Sequence, residues 1–298
     1  MLEEVLARLR ADRALESDFD ALCGFGGRFA GTESEARARE WLASRLADAT
    51  GGPVRREPVR YRGWTRGASS AVDSTGAIWP AQALGRSTAA ELAAPLLDLG
   101  RGTPDDVAAA AGDVRGAIVL ARHEFMLGAG HVHRRRKYDA ARAAGAAGFL
   151  IACHEPGLGP VTGSAADGGP GNIPCAGISH EAGAALAARS GRPVTLRVAG
   201  AFADAVAENL FATVPGRGDS LVVLSAHIDG HHLAESAIDN ATGLACALAV
   251  ARALANVVGR AGPGGASRSR CSASRNGRWK ARAPTSPACR RPSARGAC

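Results

Sequence analysis

The sequence predicts an α/β fold interrupted by a small β-rich unit. Three observations point to it. Leu221-Val222-Val223-Leu224-Ser225-Ala226 is an unbroken apolar run of strand length, the pattern of a central parallel strand buried on both faces. A loop then leads to Asp239, which opens a long apolar helix reaching about Val257. Upstream, residues 62–204 hold short strand candidates set between Gly, Pro and Asp with few helices, as in a sandwich or barrel inserted into a larger domain.

Residues 1–61 form the first part of the main domain. Leu2, Val5, Leu6 and Leu9 make one helical stripe, and Ala36, Trp41, Leu42 and Leu46 make a second between about Glu33 and Ala47. Thr32, with Glu35 three residues on, predicts a capping box for that second helix. Val54–Tyr61 alternates like a strand. In the unit spanning 62–204 the strand candidates are Ala71–Val72, Ala117–Ala121, Phe149–Cys153, Ile173–Ile178 and Val194–Val198, with helices at about Tyr138–Ala144 and His180–Arg189. Residues 205–258 return to the main domain, beginning with the strand Ala207–Val214.

Residues 259–298 differ in kind. They carry ten basic residues, no acid, and no Leu, Ile, Val, Phe, Met or Tyr. Such a segment buries too little apolar area to offset its ordering entropy, so no packed structure is expected there. It also accounts for the net charge of +8, since residues 1–258 are slightly acidic by themselves. The basic balance therefore does not make the body of the protein a nucleic-acid binder; only non-specific binding through the tail is expected. No apolar run of about 18 residues is found, so no membrane span is expected. The first twenty residues lack an apolar signal core and the cysteines are scattered singly through the body, which fits reduced thiols and a cytoplasmic location.

His227, Asp229 and Asp239 carry the chemistry. The first two stand where a buried strand ends, the place where open α/β sheets put their ligands. Asp239 stands at a helix start, where backbone N–H groups favour a carboxylate. An imidazole and a carboxylate converging there suit zinc; equally, Asp239 can serve as a plain helix cap and His227 as a strand-end histidine. His231-His232 offers a replacement ligand or a solvated loop. His131-Val132-His133 beside Arg134–Lys137 reads as a metal or anion patch, or as a polar loop before a charged helix start. Gly128-Ala129-Gly130 does not fit a dinucleotide fingerprint, Ser225 and Ser236 lack a nucleophile setting, and Cys175 reads as a small core residue.

The phrase Ser225-Ala226-His227-Ile228-Asp229, followed by Ser236-Ala237-Ile238-Asp239-Asn240-Ala241-Thr242-Gly243, resembles metallopeptidase family 28, the zinc-dependent aminopeptidases with two metal ions. Arg28-Phe29-Ala30-Gly31-Thr32 resembles the family's N-terminal R-x-x-G-T element. The inserted unit resembles a protease-associated domain, in Gly116–Leu120, Ala140–Phe149 and Ile173–Ile178. The resemblance implies an incomplete zinc-exopeptidase-like sheet with helices on both faces, and a peptide substrate. It further implies that His227 ligates the first zinc, that Asp229 holds its imidazole from behind, that Asp239 bridges both zincs, and that the Asp239–Asn240 peptide is cis.

The sequence departs from that family downstream. The family places a Glu-Glu pair after the next strand, then a further carboxylate and a distal His, whereas no acidic residue follows Asp239 here. No residue of this chain is therefore assigned as the general base. Permitted codons for Ala273–Ser286, read from the third base of the first codon, spell Phe-Glu-Glu-Trp-Ala-Leu-Glu-Gly-Ser-Arg-Ala-Tyr-Leu, which restores the pair. The resemblance and the frame together give a zinc exopeptidase by descent, truncated by a frameshift between about Val258 and Arg270 and inactive as written. The rival expectation is a non-catalytic binding module that recruits a protein or nucleic acid through the insert or the tail.

Overall fold

In a computed structural model, residues 2–216 and 221–259 are described, together with the backbone of residues 267–274. Among them the chain runs α1 (Leu2–Arg10), α2 (Ala14–Gly24), α3 (Glu33–Thr50), β1 (Arg55–Val72), β2 (Ile78–Ala83), β3 (Ala90–Asp98), α4 (Pro104–Ala109), α5 (Ala111–Val114), β4 (Ile118–Arg122), α6 (Arg134–Ala143), β5 (Gly148–Ala152), β6 (Cys175–Ile178), α7 (His180–Ala187), β7 (Pro193–Gly216), β8 (Val223–His227), α8 (Thr242–Gly259) and β9 (Ser267–Ser274).

Neighbouring strands follow the order β1-β2-β6-β5-β4-β3-β7-β9-β8, and β1 also pairs with β7. That extra pairing closes β1 to β7 into a barrel. Strands β3 to β6 run parallel, and the remaining barrel pairs are antiparallel. Alternation along the parallel strands fills two cores. Ile118, Leu120 and Leu150 point to Leu196, Val198, Trp64 and the Leu186 side of α7. Val119, Phe149 and Ile151 point the other way, onto Tyr138 and Ala141 of α6. Burial on both faces explains why these strands read as continuous apolar runs.

Strands β1 and β7 are long, 18 and 24 residues, and pair from Arg55↔Phe211 to Val72↔Thr195. The compositional changes at 61/62 and 204/205 fall inside these two strands. Val194–Val198 and Ala207–Val214, read separately in the sequence, are one strand, because the residues between them stay extended in the β1–β7 ribbon. The far end of β7, Leu210–Gly216, pairs with β9, and β9 pairs in parallel with β8.

Two expectations need correction here. Residues 259–298 were expected to have no packed structure, yet 267–274 form β9 between β7 and β8. Pairing between two strands satisfies backbone N–H and C=O groups whatever the side chains are. The rest of that expectation lies outside the described residues. Strand β8 was expected to be buried on both faces, but it lies at the sheet edge, with Leu221, Val222 and Val223 exposed by 48%, 73% and 57%.

Helices α3 and α8 pack against β7, α8 also against β8, and α1 and α2 pack onto α8. Their shared core holds Leu22, Leu42, Leu46, Leu210, Ile228, Leu244 and Leu248. Residues 237–258 are long and apolar enough by composition to cross a membrane, although Arg252 breaks the apolar run. In the structure this segment packs as a core helix. Its Arg252 donates to Asp12 at 2.8 Å and to Asp18 at 2.6 Å. Asp18 is fully buried and also accepts from Arg45 at 2.7 and 2.9 Å, so one carboxylate ties α2 to both α3 and α8. At the start of α3, Thr32 Oγ1 accepts from the Glu35 N–H at 3.3 Å as expected, and the Glu35 carboxylate turns to Arg39.

Removing the Asp18 charge leaves two guanidinium groups without their shared partner. Asp18→Asn is expected to lower stability by about 2–3 kcal/mol, below the usual cost of breaking a fully buried pair because both arginines touch solvent. Urea unfolding of the two proteins measures this, and an unchanged midpoint would contradict the role given to Asp18.

Candidate metal centre

The site is built where β8 ends. His227 is the last residue of that strand, residues 228–236 form a loop, and Ala237–Ala241 form an irregular turn before α8. The structure brings His227, Asp229 and Asp239 together. His227 Nδ1 lies 2.9 Å from the Asp229 backbone oxygen and 3.4 Å from Asp229 Oδ1. His227 Nε2 lies 2.9 Å from Asp239 Oδ1. The Asp239–Asn240 peptide is cis. Asn240 folds its carboxamide over Gly243, where a Cβ would come within 2.2 Å of Asn240 Oδ1, so the position has no room for a side chain.

The hydrogen-bond chemistry is specific. With Nδ1–H donating to the Asp229 carbonyl, the neutral imidazole turns its Nε2 lone pair toward the Asp239 carboxylate. Two lone-pair groups at that distance need a proton or a cation between them. The Asp229 and Asp239 carboxylates accordingly raise the His227 pKa above its ordinary value, against the opposing effect of burial. Asp229 Oδ1 is buried without a hydrogen-bond partner among the described groups.

The second histidine pair divides. His231 Nε2 lies 3.7 Å from Asp239 Oδ2, and burial and the nearby Arg134 lower its pKa. His232 turns away, with Nδ1 3.0 Å from Arg66 Nη1 and its ring against Phe29. His227 and Asp239 are thus two converging donors of the right kind for zinc, with His231 at the rim. Among the described residues no group of three or more His, Cys, Asp or Glu side chains forms a metal-holding cluster. Two donors do not complete a zinc shell.

Arg28 holds the loop in place. Its guanidinium is fully buried and donates to the carbonyls of Leu22 at 2.6 Å, Glu235 at 3.0 Å, Ser236 at 3.1 Å and Ile228 at 3.2 Å. Its own carbonyl accepts from the Gly230 N–H at 2.8 Å. Gly27 lies so close to the loop that a Cβ would sit 1.8 Å from the His232 oxygen. The named residues of the R-x-x-G-T phrase thereby each have a local role. Arg28 pins the loop, Gly31 takes a φ of 88°, and Thr32 caps α3.

Other sequence candidates fall outside the site or take structural roles. His133 caps α6 by accepting from the Arg135 N–H at 3.2 Å, and His131 packs edge-on against it. Gly128-Ala129-Gly130 lies in a turn closed by the Gly128 N–H to the Phe125 carbonyl. Cys175 is a buried core residue whose thiol is pushed up to about 12 by burial. Ser236 Oγ accepts from the His231 N–H at 2.7 Å and shapes the loop. Arg66 of β1 reaches His232 beside the site, a contact that no local pattern in the sequence announces. Arg134, in the basic run read as a metal or anion patch, donates to the Ser164 carbonyl at 3.0 Å.

Residues 87–186 match the family model of the PA domain, and residues 209–265 match that of peptidase family M28. No match was found among curated proteins. Among solved structures, the chain is similar to a zinc aminopeptidase from Bacillus subtilis, at 24% identity and a TM-score of 0.66, over 88% of this chain and 60% of that one. It is similar to an aminopeptidase from Aneurinibacillus sp. strain AM-1, at 20% identity and a TM-score of 0.61, over 89% of this chain and 63% of that one. A peptidase M28 precursor from Shewanella amazonensis aligns at 23% identity and a TM-score of 0.69, over 91% of this chain and 65% of that one. The chain thus spans less than two thirds of the length of each of these proteins, and at such identities the likeness is one of fold. The chain joins a PA-domain insert to an α/β fold shared with the zinc aminopeptidase and peptidase M28 structures.

Proposed function

We propose that the gene encodes a zinc-dependent aminopeptidase, and that the segment following about Val258–Arg270 is read out of frame, leaving this chain without its general base. The observation that carries the reading is the contact of His227 Nε2 with Asp239 Oδ1 at the end of β8, with Asp229 behind Nδ1. Zinc, when bound, supplies Lewis acidity toward the scissile carbonyl and lowers the pKa of a bound water. His227 and Asp239 would hold it, and Asp229 would orient the imidazole. The B. subtilis and Aneurinibacillus structures are of aminopeptidases, which supports a peptide substrate.

The strand register supports the reading of the frame. Ser274, the last residue of β9, pairs with His227, the last residue of β8. In a frame-restored chain the residues after that register position would follow the strand end that pairs with His227. The alternative frame puts its Glu-Glu pair at that point, where a general base and a further ligand are needed.

Three outcomes test this. The chain as written is expected to bind zinc weakly, in the micromolar range or above, because two side-chain donors leave the shell open; two zinc ions bound at nanomolar affinity in calorimetry would show that the site is already complete. After resequencing of the locus and restoration of the frame, the protein is expected to hydrolyse aminoacyl p-nitroanilides. In that protein His227→Ala and Asp239→Asn should abolish turnover, while Asp229→Asn should cost about 10–100-fold. Wild-type rates in the first two variants would overturn the assignment. Arg28→Met leaves buried carbonyls without donors, and it is expected to destabilise the protein by about 3 kcal/mol or more and to weaken zinc binding further. Thermal unfolding together with zinc titration reads both effects.

A further inference from the structure

Strands β4 and β5 run parallel, with Arg122 level with Ala152, and a histidine follows each at its carboxyl end. His123 comes directly after β4, and its N–H donates to the Ala152 carbonyl at 2.8 Å. His154 stands two residues beyond β5, after Cys153, whose N–H donates to the Ile178 carbonyl at 3.0 Å. Backbone hydrogen bonds therefore hold both positions. The two rings meet with centroids 5.5 Å apart and a tilt of 42°. Two imidazoles that share one metal ion through nitrogens at about 2.0–2.1 Å place their centroids roughly 5–5.5 Å apart, so the observed spacing fits a metal between them.

The polar partners of the pair point the same way. His154 Nε2 lies 3.5 Å from Glu155 Oε1, so in the neutral ring the proton faces the carboxylate and Nδ1 keeps the lone pair. His154 Nδ1 is also the atom that is buried without a hydrogen-bond partner among the described groups. A ligating histidine has this arrangement, with one nitrogen turned to a carboxylate and the other to the metal. Burial, with Arg134 nearby, pushes His123 down to about 4, so its ring is neutral and carries a lone pair as well. The charges around the pair are mixed. Arg134 and Lys137 act on His123 as positive charges, Lys137 lies 3.4 Å from Glu124, and Glu155 stands at His154.

We propose that His123 and His154, at the paired ends of β4 and β5, form a second metal site that takes one divalent late transition ion through two imidazole nitrogens, with water in the remaining positions. The site uses none of the residues of the His227–Asp239 centre and does not depend on the peptidase reading. Imidazole suits Cu2+, Ni2+ and Zn2+, and Cu2+ binds such donors most tightly. Glu155 is a positioning residue, which fixes the tautomer of His154. A bound ion ties together the starts of the two loops that leave β4 and β5. Two neutral donors beside a mixed set of charges give micromolar rather than nanomolar binding.

Cu2+ alone is the probe. It is titrated into the full chain by calorimetry, and low-temperature electron paramagnetic resonance counts the imidazole nitrogens on the ion. His227→Ala serves as the background, because it removes the competing imidazole of the other centre. In that protein the first Cu2+ is expected to bind with micromolar affinity and two imidazole nitrogens. His123→Phe keeps a ring against His154 but removes its nitrogens. It and His154→Phe are each expected to weaken binding by at least about tenfold and to leave one nitrogen on the ion. Glu155→Gln is expected to weaken binding while both nitrogens stay in place. Unchanged affinity and nitrogen count in His123→Phe, the result that binding at His131 and His133 would give, overturns the proposal. Fewer than two imidazole nitrogens on the ion in the His227→Ala background overturns it too, and that measurement decides the matter even where His123→Phe fails to fold.

Discussion

The geometry of the site depends on one buried cation. Arg28 donates to carbonyls on both sides of the 228–236 loop and to the end of α2, and among the described residues no carboxylate neutralises it at hydrogen-bond distance. Burial lowers its pKa, and Asp229 and Asp239 act against that shift from nearby. The guanidinium thus does two things at once. It replaces the backbone partners that an irregular loop would otherwise find in water, and it places positive charge under two carboxylates that repel each other. Lysine, with one nitrogen, could not reach four carbonyls in one plane.

The β1–β7 ribbon is the second constraint. Along its middle the two strands pair only with each other, from Arg60↔Val206 to Arg66↔Gly200, before each enters a larger sheet. The barrel is therefore not a bead on a flexible tether: its strands are the same strands that support α3 and α8. This continuity sets Arg66, on the barrel's side of β1, against His232 of the metal loop. A site assembled from residues so far apart in sequence needs a rigid connection between its two walls.

What was legible in the sequence follows from how local each feature is. His227, Asp229 and Asp239 could be read because they sit within thirteen residues of one another, in a phrase with its own local meaning. The buried strands β4, β5 and β6 could be read because burial on both faces leaves an apolar run. Helix α2 escaped, since one of its buried positions is Asp18, a charge satisfied only by arginines from α3 and α8. Strands β2 and β3 escaped because Pro80, Pro95 and several alanines interrupt any alternation. Arg66 gains meaning only from the Ala83 carbonyl and His232, which the fold brings to it.

Strand β8 has a consequence of its own. Among the described residues it pairs on one side only, so its outer edge presents unspent N–H and C=O groups beside three exposed aliphatic side chains. Such an edge accepts an extended segment with little regard to sequence, as β9 shows on the inner side. The same indifference makes it a template for the strands of other molecules, and sheets that keep an edge of this kind open exchange solubility for self-association.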